Sequence, residues 1–388
     1  MAITGAKPMR SNLPFSARVL SALVAGILLY GSLDAGEFEP WANPKAKLEI
    51  SSRLAQAPGG MTITPSGSII LSLHQFQSPS VRVVEITPEG KVHSFPNQSM
   101  STTGGKGSLK LDSVLGLQSD KKGVVWMLDN GRRGETTPKL VAWDTRAQKL
   151  HKVIYLPEPA TISSSFVNDL ALDPEAPYIY ISDPAAGKDA ALIVVNSDTG
   201  HARRLLQGHY SVIPEGRDLV IDGKPVFSKR VDGTKVQPLA GVNPIAVDRK
   251  GNSLFYAPTD SSVLFRIPTA ALQDLSLTPA EIASRVEGWA SKPICDGISI
   301  DSKGNVYVSD IASKAIGIID PRSKRYEQYI RHADFLWPDG LCFGSDDRLY
   351  FFASQLHRMP QFNSGRQNSR QPFFLFKIKP LADGTVGR

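Results

Sequence analysis

The sequence predicts an all-β protein: a six-bladed β-propeller with four-stranded antiparallel blades, preceded by an N-terminal signal segment. Three observations carry this expectation. One strand-turn-strand pattern recurs six times, and the spacing between copies suits one blade each. The composition, with 32 glycines and 28 prolines among 388 residues, is rich in turn formers while 41% of residues are hydrophobic. The chain is longer than an ordinary single domain, but all-β repeat folds stay one domain well beyond that length. Residues 1–35 are therefore assigned to a signal peptide or N-terminal anchor and residues 36–388 to the propeller.

The repeat is clearest where Asp296-Gly297-Ile298-Ser299-Ile300 passes through Asp301-Ser302-Lys303-Gly304-Asn305 into Val306-Tyr307-Val308-Ser309-Asp310. Alternating apolar residues, a turn of small polar residues and a second alternating run define a hairpin. The same grammar opens at Gly59, Asn168, Asn243 and Asp339, and a weaker copy opens at Ser113 and returns through Val124-Val125-Trp126-Met127-Leu128. Successive openings are 54, 55, 75, 53 and 43 residues apart. Each interval holds four strands, and radial repetition of such sheets is one solution to exposed sheet edges. Third and fourth strands are legible at Ala191 to Val195 with Ala202 to Leu206, and at Leu140 to Trp143 with Lys152 to Tyr155. The longest interval contains a hairpin signal at Asp222-Gly223. The next holds two short helices, Thr269 to Gln273 and Pro279 to Val286, the second capped by Thr278 with Pro279 in its first turn.

Lys7, Arg10 and Arg18 precede an apolar run from Val19 to Leu33 that is short for a bilayer span. A positive flank, a short apolar segment and small residues near Ala35 read as a secretory signal, retained as an anchor if uncleaved. The expected location is secreted or periplasmic. The formal net charge of +7 is scattered, and its densest group, Arg366 to Arg370, lies in a Gln/Asn/Ser loop without interleaved aromatics. No nucleic-acid partner is expected, and no membrane contact beyond the N-terminus. The expected state is a monomer serving a small-molecule ligand or substrate. Cys295 and Cys342 are too few for a disulfide framework. The repeat sets them four positions apart on neighbouring blades, so one bridge and two buried thiols both stay open.

In a propeller the first strand of each blade lines the central channel and starts at one face. Gly59, Ser113, Asn168, Asn243, Asp296 and Asp339 are therefore expected to ring one mouth, with Asp129, Asp183, Asp260 and Asp310 behind them. Asn168, Asn243, Asp296 and Asp339 are the candidate metal ligands. Oxygen donors from separate strands suit a divalent cation, Ca²⁺ first, and a ring without His or Cys argues against zinc. Asn and Asp at strand entries also cap turns, so a purely structural reading stands beside this one. Asp173, Asp248 and Asp301 are expected to be turn residues at the opposite face. Phe166, Phe335 and Trp337 precede ring positions and are candidates for the pocket wall. The seven histidines show no pairing at metal spacing, and Ser163-Ser164-Ser165 reads as loop.

The stretch from Phe166 to Leu206, with Val167-Asn168-Asp169 and Tyr178-Ile179-Tyr180-Ile181-Ser182-Asp183, resembles the yellow and major royal jelly protein family. So do Asn243 to Pro268, which ends in Leu264-Phe265-Arg266-Ile267-Pro268, and Val125-Trp126-Met127-Leu128-Asp129-Asn130-Gly131. The resemblance implies a secreted six-bladed propeller, with some relatives binding small amines or sterols in the channel. The chain is similar, more distantly, to gluconolactonase and regucalcin-type propellers, whose divalent metal is held by Glu, Asn, Asn and Asp. Asn168, Asn243 and Asp296 match the last three of that set, and Gly59 or Gly60 stands where the glutamate would be.

Two functions are expected on this basis. In one, a divalent metal assists hydrolysis of a sugar lactone, with Asp296 as the catalytic residue and Ser113, Phe166, Asp183, Asp310 and Trp337 around the substrate. In the other, the same mouth binds an amine or sterol without catalysis, through Asp296 or Asp339 and the aromatic edges.

Overall fold

The structure is a computed structural model that describes residues 43–102, 109–132, 136–185, 187–229, 233–236 and 240–388. The N-terminal segment 1–35, with its export signal, lies outside the described residues.

Six four-stranded antiparallel sheets are arranged as blades. Blade 1 is Pro58–Ile63, Ile69–Leu73, Val83–Ile86 and Val92–Ser94, and blade 2 is Val114–Ser119, Val124–Asp129, Lys139–Asp144 and Lys149–Tyr155. Blade 3 is Asp169–Leu172, Tyr178–Asp183, Ala191–Asn196 and Ala202–Leu205, and blade 4 is Val242–Val247, Ser253–Pro258, Val263–Pro268 and Glu287–Ser291. Blade 5 is Cys295–Ile300, Val306–Asp310, Ala315–Ile319 and Tyr326–Arg331. Blade 6 takes Pro338–Phe343, Leu349–Ala353 and Phe373–Ile378 from the end of the chain and its outer strand, Glu49–Leu54, from the beginning. That pairing closes the ring and leaves no open blade edge at the seam.

Burial follows position in the blade. The inner two strands of blade 2 are buried at every residue, whereas the outermost, Lys149–Tyr155, is largely exposed. Six hydrophobic clusters fill the six gaps between neighbouring blades. One joins Met61, Leu71 and Val84 of blade 1 to Phe352 and Leu375 of blade 6. Another joins Val306 and Val308 of blade 5 to Phe255 and Leu264 of blade 4. The apolar alternation thus records two-sided burial of sheets stacked around an axis.

Hairpin turns are held by the aspartates that the repeat placed there. Asp301 Oδ1 accepts from the amides of Lys303 and Asn305, and Asp248 and Asp173 act alike. Thr278 and Glu281 form a reciprocal capping box on the helix Pro279–Ala283. In the insertion between blades 3 and 4, Val220–Ile221 pairs with Lys224–Pro225 across Asp222 and Gly223, both at positive φ. A second small hairpin, Ser228–Lys229 with Lys235–Val236, was not foreseen.

At the face away from the mouth, the segment after blade 6 enters the channel. Thr62 Oγ1 donates to Gly387 O (2.9 Å), Ser299 Oγ donates to Arg388 O (3.0 Å), and Phe343 exchanges backbone bonds with both residues. Thr385, Gly387 and Arg388 so line a channel of about 80 Å³ and leave the wider opening at the other face.

Candidate functional site

Register within each blade decides which residue reaches the mouth. Cys295 faces Asp310 and Ile298 faces Val308 across a bulge, which sets Asp296 at the channel entrance. Equivalent pairings place Gly59, Asn168, Asn243 and Asp339 at the same level. In blade 2, Val114 faces Asp129 and Leu117 faces Met127, so the ring position belongs to Leu115. Ser113 is a correction: it lies two residues earlier, fully buried, with its hydroxyl bonded to Gln75.

Above the ring is a cavity of about 620 Å³. Gly59, Leu115, Asn168, Asn243, Asp296 and Asp339 form its floor, and Phe76, Phe166, Trp337 and Phe362 contribute aromatic wall. Phe335 does not join them. It is buried between blades 5 and 6, its ring 4.8 Å from Phe351 and 4.9 Å from Phe376.

Asp183 and Asp310 also stay out of the cavity, because their carboxylates serve their own blades. Asp183 forms a buried ion pair with Arg204 (2.6 Å) and accepts from Ser165 Oγ and the Phe166 amide. Asp310 accepts from Tyr326 Oη (2.7 Å) and the Ser313 amide. Asp129 is likewise consumed by Lys139 and by the amides of Asp112 and Ser113. These carboxylates anchor the loops leading to inner strands and do not line the cavity. Asp260 holds the insertion through the amides of Glu215, Gly216 and Arg217, although it also borders the cavity.

The floor is a connected polar strip. Asn168 Nδ2 donates to Asn243 Oδ1, Asn243 Nδ2 donates to Asp296 Oδ1, and Trp337 Nε1 donates to Asp296 Oδ2 (2.6 Å). Burial raises the Asp296 carboxyl above its ordinary range, with the Trp337 and Asn243 hydrogen bonds opposing the shift. Asp339 is raised well above that range by burial and by the charge of Asp296, eased by the Gly340 amide. Asp169, one residue past the ring, is pushed up to about 7 mainly by burial. Among the described residues none of these three carboxylates has an ion pair within 4 Å. Gly297 makes room for this crowding, since a Cβ there would lie 2.5 Å from Asp339 Oδ1.

Buried carboxylates without an ion pair within 4 Å among the described residues favour a cation, and oxygen donors alone suit a hard one. Asn168, Asn243, Asp296 and Asp339 therefore fit a divalent ion in kind. Among the described residues, no group of three or more His, Cys, Asp or Glu side chains is placed to hold a metal. The missing glutamate also has no open place. A Cβ on Gly59 would meet Leu115 Cδ2 at 2.8 Å and His74 Cα at 3.2 Å, and one on Gly60 would lie 2.1 Å from Leu115 O.

Several cavity residues carried no sequence signal. His74 follows the second strand of blade 1, beside Gly59. Its Nδ1 accepts from the Phe76 amide, and burial lowers its pKa to about 4, so the ring is neutral. Thr259 and Arg217 reach the wall from blade 4 and the insertion. Both cysteines are buried free thiols.

A propeller whose mouth carries a buried, acidic floor is a ligand-site architecture. The chain belongs to the major royal jelly protein family, whose sequence profile matches residues 112–375. Major royal jelly protein 1 of Apis mellifera is 25% identical over 171 residues, 40% of this chain and 37% of that protein, so the match spans little more than a third of the relative. Among solved structures, the calcium-binding protein regucalcin of Agrobacterium tumefaciens superposes with a TM-score of 0.52 at 15% identity, covering 87% of this chain and 98% of that one. A luciferin-regenerating enzyme gives 0.54 at 12% identity, covering 86% and 94%. A gluconolactonase of Xanthomonas campestris gives 0.50 at 12%, covering 90% and 99%. At these identities the likeness concerns the fold.

Proposed function

We propose that the protein binds a small organic cation in the mouth cavity, with an ammonium group against Asp339 and Asp296 and an apolar body against Phe166 and Trp337. The observation that carries this reading is the pair of buried carboxylates on the floor, both pushed toward protonation and neither ion-paired among the described residues. A bound cation supplies the missing charge, and aromatic rings around an ammonium add attraction. Calorimetric titration with phenethylamine and its neutral counterpart 2-phenylethanol tests it. The amine is expected to bind at least about tenfold more tightly, as one charge-assisted contact would give, and Asp339→Asn to remove most of that preference. Equal affinities in the wild type would refute the reading.

A second reading has one specific observation behind it: Asn168, Asn243 and Asp296 occupy the same register position on consecutive blades. We infer a divalent-metal-dependent lactonase as the alternative, with Asn168, Asn243, Asp296 and Asp339 holding the ion. The metal would polarise a lactone carbonyl. Asp296, already oriented by Trp337 and Asn243, would hold or accept a proton at Oδ1 or Oδ2. Gluconolactone hydrolysis that requires added Ca²⁺ or Mg²⁺ and fails in Asp296→Ala supports it; no metal-dependent hydrolysis removes it. Under either reading we propose an exported, monomeric protein, on the strength of residues 1–35 and the closed ring.

A further inference from the structure

The cavity is not uniformly acidic. Opposite in charge to the floor, the wall built by blade 4 and the insertion carries Arg217 and Thr259. The Arg217 guanidinium makes one long hydrogen bond, Nη1 to Asp260 O at 3.4 Å, because the Asp260 carboxylate is occupied by backbone amides. No carboxylate lies within 4 Å of it among the described residues. Thr259 is 6% exposed and its Oγ1 is buried without a partner. Its carbonyl accepts from the buried Lys292 Nζ (3.1 Å). An unsatisfied buried hydroxyl and a guanidinium without a carboxylate within 4 Å, both lining this wall among the described residues, favour an anionic acceptor. The floor asks for a cation.

We propose that the cavity is built for a zwitterion, with its ammonium toward Asp339 and Asp296, its carboxylate toward Arg217 and Thr259, and its apolar or aromatic body against Phe166 and Trp337. This rests on the organic-cation reading above and narrows it to a ligand class. An α-amino acid carries both charges on one carbon, so a single ligand group would answer the acidic floor and the basic wall together.

Three ligands with one ring and spacer test it by calorimetry on the full chain: phenethylamine with the ammonium alone, 3-phenylpropionate with the carboxylate alone, and phenylalanine with both. Phenylalanine is expected to bind about tenfold or more tightly than either, the effect of one added charge-assisted hydrogen bond. Arg217→Gln is expected to bring phenylalanine down to the level of phenethylamine, and Thr259→Val to weaken phenylalanine selectively. If phenethylamine binds and phenylalanine binds no better, the zwitterion proposal is overturned and the cation reading stands. If none of the three binds, both fall. The wild-type series decides this even where a variant fails to fold.

Discussion

His74→Asn isolates the charge state of the cavity wall. Burial lowers the His74 pKa from 6.5 to about 4. The folded state thus refuses a proton that the unfolded chain accepts once the pH drops below about 6.5. Between pH 6.5 and 4 the unfolded state binds more protons, so stability is complete above that window and falls as the pH is lowered through it. Lowering from 6.5 to about 4 corresponds to about 3 kcal/mol at the bottom of the window. Asparagine does not titrate, and its side-chain oxygen can accept the Phe76 amide as His74 Nδ1 does. His357, also lowered to about 4, is present in both proteins and cancels from the comparison. Urea denaturation of wild type and variant at pH 7, 6, 5 and 4 should therefore show the wild type losing about 3 kcal/mol more than the variant. A wild-type minus variant difference that stays constant within about 0.5 kcal/mol across the series would refute the reasoning.

Arg204→Ala strands Asp183 as an uncompensated buried charge and should cost about 3–5 kcal/mol in urea denaturation; a loss below about 1 kcal/mol would show that Asp183 finds another partner. Cys295 and Cys342 should react with a thiol reagent only after denaturation, and reductant should leave the Tm unchanged, both read by absorbance and a thermal scan. Gly59→Glu alone is blocked by Leu115 and should leave Ca²⁺ affinity as in wild type, while Gly59→Glu with Leu115→Ala should raise it; calorimetry showing equal gains in both variants would contradict the packing argument. Deleting residues 384–388 removes the hydrogen bonds to Thr62, Ser299 and Phe343, each worth about 1 kcal/mol, and should lower the Tm by several degrees.

The fold was legible because each blade's two inner strands are buried on both sides, which writes the same apolar run and the same aspartate-led turn six times. The outer strand of blade 6 was not, since Glu49–Leu54 pairs with Phe373–Ile378 from the far end of the chain and nothing local announces it. The site was half legible. Asn168, Asn243, Asp296 and Asp339 do meet at one level, but polarity alone set the register in blade 2 and chose Ser113. Glycine was the better guide, because Gly60, Gly116 and Gly297 follow ring positions where a Cβ would strike a neighbouring blade, and Gly340 follows one where it would strike Phe352 of its own blade. Aligning on Gly116 gives Leu115. Asp183 and Asp310 looked functional for the same reason that they are structural: a carboxylate at a strand end can either meet a ligand or tie down the next loop, and Arg204 and Tyr326 decide for the second.

Leu115 also links the two readings of the site. A ring with carboxylates on both sides would surround an ion, whereas this ring has Gly59 and Leu115 on adjacent blades and keeps its carboxylates toward blades 5 and 6. The floor is thus lopsided: acidic on one side, apolar on the other. Such a surface holds one end of an amphipathic molecule better than it encloses a bare ion, which needs ligands from several directions. The insertion between blades 3 and 4 then adds Arg217 to the cavity lining, and under the zwitterion proposal this second charge would orient the bound molecule. Under the cation and zwitterion readings, selectivity would therefore come less from the polar ring residues than from what blade 2 and the insertion put beside them.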